Sequence, residues 1–204
     1  ETFVIYDDVN FIKQGWINRN RILLNSKEHL ITLNLINSSS FKLINEIEIG
    51  KNNNKLLKTI EQAYKKAPFF QETYSVIEDV FKTKESNLAS FLEYCIRRLT
   101  LYLRINTNIV VSSKLEKDIS KKGQDKVIDI CKGLNASIYI NAIGGQDLYS
   151  KEVFSLNQID LKFIKTNSIN YHQFNNEFVP WLSVIDVLMF NSVEEIHQML
   201  DNYE

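Results

Sequence analysis

A chain of 204 residues with 24 Lys and Arg against 25 Asp and Glu carries a formal net charge of −1, so it lacks the basic excess that marks a nucleic-acid binder. Two cysteines are too few for a disulfide framework, three histidines show no metal-ligand spacing, and no run of 18 apolar residues exists to span a membrane. With 44% hydrophobic residues the composition is that of an ordinary globular domain, long enough to bury roughly 70% of its unfolded surface without a staple.

Thr2 to Tyr6 is short and apolar, as a buried strand should be, and ends in Asp7-Asp8. A polar, aromatic and basic loop follows from Asn10 to Asn20. Arg21–Leu24 and Leu30–Leu35 read as a hairpin around Asn25-Ser26-Lys27, and the alternation over Phe41–Ile49 predicts a half-exposed strand. Three helices follow at the 3.6-residue period: one marked by Leu56, Ile60, Ala63 and Tyr64, one by Phe70, Tyr74, Ile77 and Phe81, one by Leu88, Leu92, Cys95, Leu99 and Tyr102. The last third alternates strand 109–111, helix 124–134, strand 137–140, helix 150–156 and strand 161–164. That order predicts parallel pairing with crossover helices. Two short helices close the chain, the last opening on a Ser192-Val193-Glu194-Glu195 capping box. The expected fold is α/β, one domain over 1–204, with a mostly parallel sheet, a β-rich N-terminal part and a helical middle. The chain opens at Glu1 on a strand already under way, so a native N-terminal segment is expected to precede it.

In open parallel sheets, ligands bind beyond the carboxyl ends of the strands. That rule selects Asp7-Asp8, Ser112-Ser113 and Ile143-Gly144-Gly145. The densest polar cluster runs Lys13-Gln14-Gly15-Trp16-Ile17-Asn18-Arg19-Asn20-Arg21. Guanidinium forks grip phosphate or carboxylate at two points, and an indole stacks on a ring. The cluster therefore suits an anionic ligand with a flat part; the simpler alternative is a solvated loop whose arginines pair with Asp7 and Asp8. Gly144-Gly145 lets backbone N–H groups approach an anion, or is merely a turn. His172 is a conceivable general base with no visible partner. Ser183 reads as a helix N-cap with Asp186 in the first turn.

Taken together these segments resemble the WbqC-like family of bacterial proteins. The resemblance runs through Phe3-Val4-Ile5-Tyr6-Asp7-Asp8-Val9, Lys13 to Arg21, Tyr64-Lys65-Lys66-Ala67-Pro68-Phe69-Phe70, Ser112-Ser113, Gly144-Gly145 with Tyr149, Tyr171 with Gln173, and Leu182-Ser183-Val184-Ile185-Asp186. Two features depart from the family pattern: an opening His/Met-Gln-Pro segment is absent, and a late Asn-Gly turn reads Asn191-Ser192.

The family is associated with surface-polysaccharide and O-antigen gene clusters. The resemblance thus implies a cytoplasmic transferase moving an acyl or aminoacyl group, such as glycyl, onto a nucleotide-activated amino sugar. It also implies a nucleotidyltransferase-like, Rossmann-related fold. Asp7 and Asp8 are the expected catalytic groups. Lys13, Trp16, Asn18, Arg19, Asn20, Arg21, Ser112, Ser113, Gly144, Gly145, Tyr149, Tyr171 and Gln173 are the expected substrate-binding ones. The expected partner is a small-molecule nucleotide sugar, with no nucleic acid and no membrane span. No cofactor is evident; a divalent cation and a homodimer stay open. A non-catalytic binding or assembly module and a nucleotidyltransferase are the competing readings.

Overall fold

A computed structural model describes every residue except Asn176. The β-rich start is a hairpin, β2 (Arg19–Leu24) paired antiparallel with β3 (Lys27–Thr32). Its two-residue turn places Asn25 and Ser26 at φ 52° and 63°, the doubly positive pair that matches the right-handed twist of the flanking strands. The hairpin turns Ile22 and Leu23 inward against α1 (Asn53–Tyr64), α2 (Phe70–Phe81) and α3 (Leu88–Tyr102). Each helix presents its periodic apolar residues to this core, Leu56, Leu57, Ile60 and Tyr64 from the first and Ile77 and Val80 from the second. Asn87 caps the third, its Oδ1 accepting from the Ser90 N–H at 3.2 Å.

Before and after this helical body run two parallel strand pairs. β1 (Thr2–Ile5) pairs with β6 (Asn108–Val111), Ile5 lying opposite Val111. After α4 (Gly123–Gly133), β7 (Ile138–Ala142) pairs with β8 (Asp160–Ile164) around α5 (Lys151–Leu156). A second core of Val127, Ile128, Cys131, Phe154, Ile159 and Leu161 lies under the second pair. The chain closes with α6 (Val184–Phe190) and α7 (Val193–Leu200), whose Ser192–Glu195 capping box forms as the sequence reads.

Two expectations change. The parallel strands do not join one sheet: four two-stranded sheets form among the described residues, two of them parallel. The parallel pairs meet through rings instead of a backbone ladder with its spacing of about 4.8 Å. Tyr6, just past β1, packs into the second core with Tyr139 and Tyr149. The half-exposed strand expected over Phe41–Ile49 shrinks to β5 (Glu48–Ile49), which pairs antiparallel with β4 (Leu35–Ile36). Glu46 folds back to accept from the Leu43 N–H at 2.8 Å, which winds Ile44–Glu46 into a 3₁₀ turn, and Phe41 points outward at 93% exposure. Local side-chain-to-backbone bonding outcompetes the ladder there.

Candidate functional site

Because Ile5 lies opposite Val111, the next residues of both strands emerge side by side. Asp7 is buried, and its carboxylate accepts from the Ser113 N–H at 2.9 Å, the Ser113 hydroxyl at 2.6 Å and the Asn45 amide at 3.3 Å. Asp8 meets two ammonium groups, Lys117 Nζ and Lys126 Nζ, each at 3.0 Å. The Lys117 side chain is only 2% exposed and also donates to the Ser112 carbonyl; Lys126 donates to the Asp8 carbonyl at 2.6 Å and lies 5.3 Å from the Tyr6 ring centre. Burial pushes the Asp8 carboxyl up, but Ser112, Lys117 and Lys126 together outweigh it and hold the group below the usual carboxylate range. Asp7 and Asp8 together balance the two buried ammonium groups at the strand ends. Asp8 Oδ1 and Ser112 Oγ are enclosed and make no hydrogen bond of ordinary geometry. Burial and the Asp8 charge push Tyr6 up to about 12.

The basic loop builds a different surface. The Arg21 guanidinium carbon lies 4.9 Å from the Trp16 ring centre and that of Arg19 lies 5.9 Å from it, so two cations share one indole. Trp16 is 58% exposed. Arg19 Nε donates to the Gly15 carbonyl at 3.0 Å, and Arg21 pairs with Glu28 at 3.2 Å on the neighbouring strand. Neither arginine reaches Asp7 or Asp8 in an ion pair. Lys13 and Asn20 are exposed. Asn20 accepts from the Arg21 N–H, and the Asn18 amide donates to the Leu33 carbonyl at 2.9 Å, fixing the start of the hairpin. Ser183 N–H donates to the Arg21 carbonyl at 2.7 Å along the free edge of β2. Two residues before Ser183, Trp181 stands 79% exposed at φ 60°, a conformation that costs a bulky side chain strain.

Tyr171 and Gln173 converge on a residue that the cap reading undervalues. Asp186 is fully buried and accepts from Tyr64 Oη at 2.7 Å, Tyr171 Oη at 2.7 Å and Gln173 Nε2 at 2.6 Å. Tyr64 Oη in turn accepts from the Leu23 N–H at 2.8 Å, so the network ends on β2. Burial drives Asp186 upward and the three donors oppose it without cancelling it. Burial and the Asp186 charge raise both tyrosines. Ser183 still caps α6, accepting from the Ile185 N–H at 3.3 Å.

Gly144 and Gly145 lie on a 3₁₀ turn over Ile143–Leu148. A Cβ on Gly145 would come 2.7 Å from the Asn141 amide nitrogen, the far end of a side chain that would have to turn aside. Tyr149 stands edge-on to Tyr139 and Phe154, with ring centres 5.8 Å away in each case.

The structure therefore gathers Asp7, Asp8, Ser112 and Ser113, with Tyr6 linking them to Tyr149, and separately Trp16, Arg19 and Arg21. Tyr171 and Gln173 form a third group around Asp186. A cavity of about 560 Å³ takes only Tyr171 from the expected set, together with His172, Phe190, Asn191, Glu195, Gln198 and neighbours. Sequence reading missed Lys117 and Lys126. The one available signal was a lysine on the otherwise apolar stretch Lys126-Val127-Ile128 of α4. Among the described residues no three His, Cys, Asp or Glu side chains gather as a metal-ligand set. No helix among them is long and apolar enough to cross a membrane.

Comparison with known proteins decides the kinship. A model of the WbqC-like protein family matches residues 1–198. The chain belongs to the WbqC-like protein family. One relative within reach is the uncharacterized protein Rv1507c of Mycobacterium tuberculosis, 22% identical over 199 residues, covering 94% of this chain and 84% of its own. No solved structure matches. In this WbqC-like chain, the strand-end carboxylates and the arginine–tryptophan surface are two places where charged groups gather.

Proposed function

We propose that the protein is a transferase that moves an acyl or aminoacyl group, such as glycyl, onto the amine of a nucleotide-activated sugar for bacterial surface polysaccharide. The observation that carries this reading is the pair of guanidinium groups laid over the exposed Trp16 ring, with a single carboxylate, Glu28, offsetting them. Arg19 and Arg21 would take the diphosphate with Lys13 nearby, Trp16 the base or sugar ring, and Asn18 and Asn20 would hold the loop in place. Asp8 is the proposed group for orienting the sugar amine, with Asp7 fixing Ser113 and Ser112 beside it. A carboxylate held below its usual range is a weak proton acceptor, so Asp8 serves better as an anionic anchor for an amine than as its base. Tyr149, which shares a core with Tyr6, is proposed with Gly144 and Gly145 for the second substrate, and Tyr171 and Gln173 as support from below.

Calorimetry with UDP- and TDP-sugars tests the clamp. Arg19→Ala and Arg21→Ala should each weaken binding by about 10- to 100-fold, as expected for charge-assisted bonds in a partly exposed site. Equal affinity in wild type and both variants removes the clamp. The scarcity of an exposed proton acceptor, with Asp7 fully hydrogen-bonded and Asp8 enclosed by lysines, favours a second reading, a non-catalytic sugar-nucleotide-binding module. Intact binding with no acylated product by mass spectrometry selects it. Pyrophosphate release from a nucleoside triphosphate would instead select a nucleotidyltransferase.

A further inference from the structure

The 560 Å³ cavity lies away from the arginine–tryptophan surface and from the strand-end carboxylates, and its volume is that of a small-molecule site. One wall is a single helical face: Glu195, Gln198, Met199 and Asn202 recur at the i, i+3, i+4, i+7 spacing along α7 and just past its end. The opposite wall is an irregular segment clamped at both ends. At its start Asn167 pairs with Asn202 through backbone and side chain, each at 3.1 Å. At its end the Tyr171 hydroxyl is spent on Asp186 at 2.7 Å. Between the clamps, Ser168, Asn170 and His172, and Gln198 across the cavity, have side chains with no hydrogen-bond partner among the described residues.

The chemistry of this lining is selective. It holds four hydrogen-bonding side chains free of protein partners and the rings of Tyr171 and Phe190. No Lys or Arg contributes to it, so the lining holds no permanent cation for a phosphate or carboxylate. Its carboxylate, Glu195, is already accepting from the Ser192 N–H at 2.7 Å in the capping box. A carboxamide presents a donor and an acceptor side by side, which matches neighbouring hydroxyls on a ring. An aromatic ring offers an apolar face to the C–H side of the same ligand.

We propose that this cavity is a subsite for a neutral, hydroxyl-rich sugar ring, recognised by Asn170, His172 and Gln198 and packed against Tyr171. The subsite does not depend on the diphosphate clamp. In the acyl-transfer reading it would take a sugar without a charged group, distinct from the phosphates bound elsewhere.

The test is an NMR titration of the ¹⁵N-labelled protein with N-acetylglucosamine, and separately with inorganic phosphate, each to about 20 mM, since a single sugar ring binds on the order of millimolar. The expected result is saturable shifts at the 168–172 amides and at the Asn170 and Gln198 carboxamides with the sugar alone, and none at the Trp16 indole. Asn170→Ala and Gln198→Ala each remove a free, exposed side chain and should weaken the sugar by about threefold or more with spectra otherwise unchanged. No saturable shift with the sugar, the same shifts with phosphate, or undiminished affinity in both variants overturns the proposal. A nucleotide diphosphate that moves only the Trp16 indole supports the clamp and leaves this result separate from it.

Discussion

Replacing Asp186 by alanine should be among the most damaging single changes in the protein. The carboxylate is fully buried and receives three hydrogen bonds, from Tyr64, Tyr171 and Gln173. The losses differ by site. Tyr64 Oη is enclosed and still accepts from Leu23 N–H, but its own proton finds no acceptor. Gln173 keeps Val179, to whose carbonyl it donates at 3.1 Å and from whose N–H it accepts at 2.7 Å, and loses one donor bond. Tyr171 is half-buried at the cavity and can turn to water. Breaking a buried charged network costs about 3–5 kcal/mol, a large part of a marginal stability of about 5–15 kcal/mol. At about 2–4 °C per kcal/mol that lowers Tm by about 10 °C. Urea denaturation at neutral pH should rank Asp186→Ala above Tyr64→Phe, and Tyr64→Phe above Tyr171→Phe at about 1 kcal/mol, with unchanged m-values. The pH dependence follows from the sign. A carboxyl whose folded value is raised binds more protons folded than unfolded, so its contribution is full below the unfolded value of about 3.9 and declines as pH rises through the folded one. The wild-type advantage over Asp186→Ala should therefore shrink from acid toward neutral pH. A cost below about 1 kcal/mol, or an advantage that grows with pH, refutes the network as the junction described.

Asp8 should behave in the opposite sense. Asp8→Asn leaves Lys117 and Lys126 facing each other nearly unexposed, a loss of about 3–5 kcal/mol at neutral pH by urea denaturation. Because the folded carboxyl is depressed, that contribution is present above about pH 3.9 and fades as pH falls through the lower folded value, so a wild-type advantage constant from neutral to strongly acid pH contradicts it. Ser113→Ala removes the 2.6 Å hydroxyl bond to buried Asp7 and should cost about 1–2 kcal/mol in the same assay, with the backbone bond retained. Burial raises both thiols, Cys95 to about 12, so neither should react with Ellman's reagent at about pH 8 until denaturant is added; prompt labelling of the native protein would contradict the placement of buried Cys131 and part-buried Cys95.

What the sequence made legible was set by local physics. The Ser192–Glu195 capping box and the periodic faces of the three middle helices depend on neighbours within a few positions and stand where the spacing puts them; the hairpin forms too, but its turn is Asn25-Ser26 alone and its second strand starts at Lys27, not Leu30. Phe41–Ile49 misled because alternation alone does not reveal that Glu46 can bond back to Leu43. The charged groups were illegible for a different reason. Lys126 meets Asp8 across 118 positions and Tyr64 meets Asp186 across 122, and no periodicity encodes such pairs. A reading of Asp186 by helix position alone sees a first-turn acid suited to the N-terminal dipole. The same position also faces the core, and only the tyrosines arriving from α1 and from the 171–173 segment turn a mild surface preference into a buried junction.

That junction ties two surfaces of the molecule to one scaffold. The β2 strand carries Arg19 and Arg21 outward, while its next residues, Ile22 and Leu23, face the core, and Leu23 N–H is held by Tyr64. Through Asp186, Tyr64 is tied to Tyr171, whose ring lines the cavity beside α7. The β2 backbone at Leu23 and the cavity wall at Tyr171 are thus tied to opposite oxygens of one carboxylate, Oδ1 and Oδ2. A side chain held by packing and by hydrogen bonds at its base keeps its geometry without ligand present. The strand-end cluster has its own anchors in Ser113, Lys117 and Lys126, and none of them contacts Asp186. Charge removal at Asp8 and at Asp186 should therefore add in stability, as expected for sites with no shared partner. Loss of Asp186, not loss of Asp8, is the change that should loosen the cavity wall, because Tyr171 loses its acceptor while Tyr64 still accepts from the Leu23 N–H.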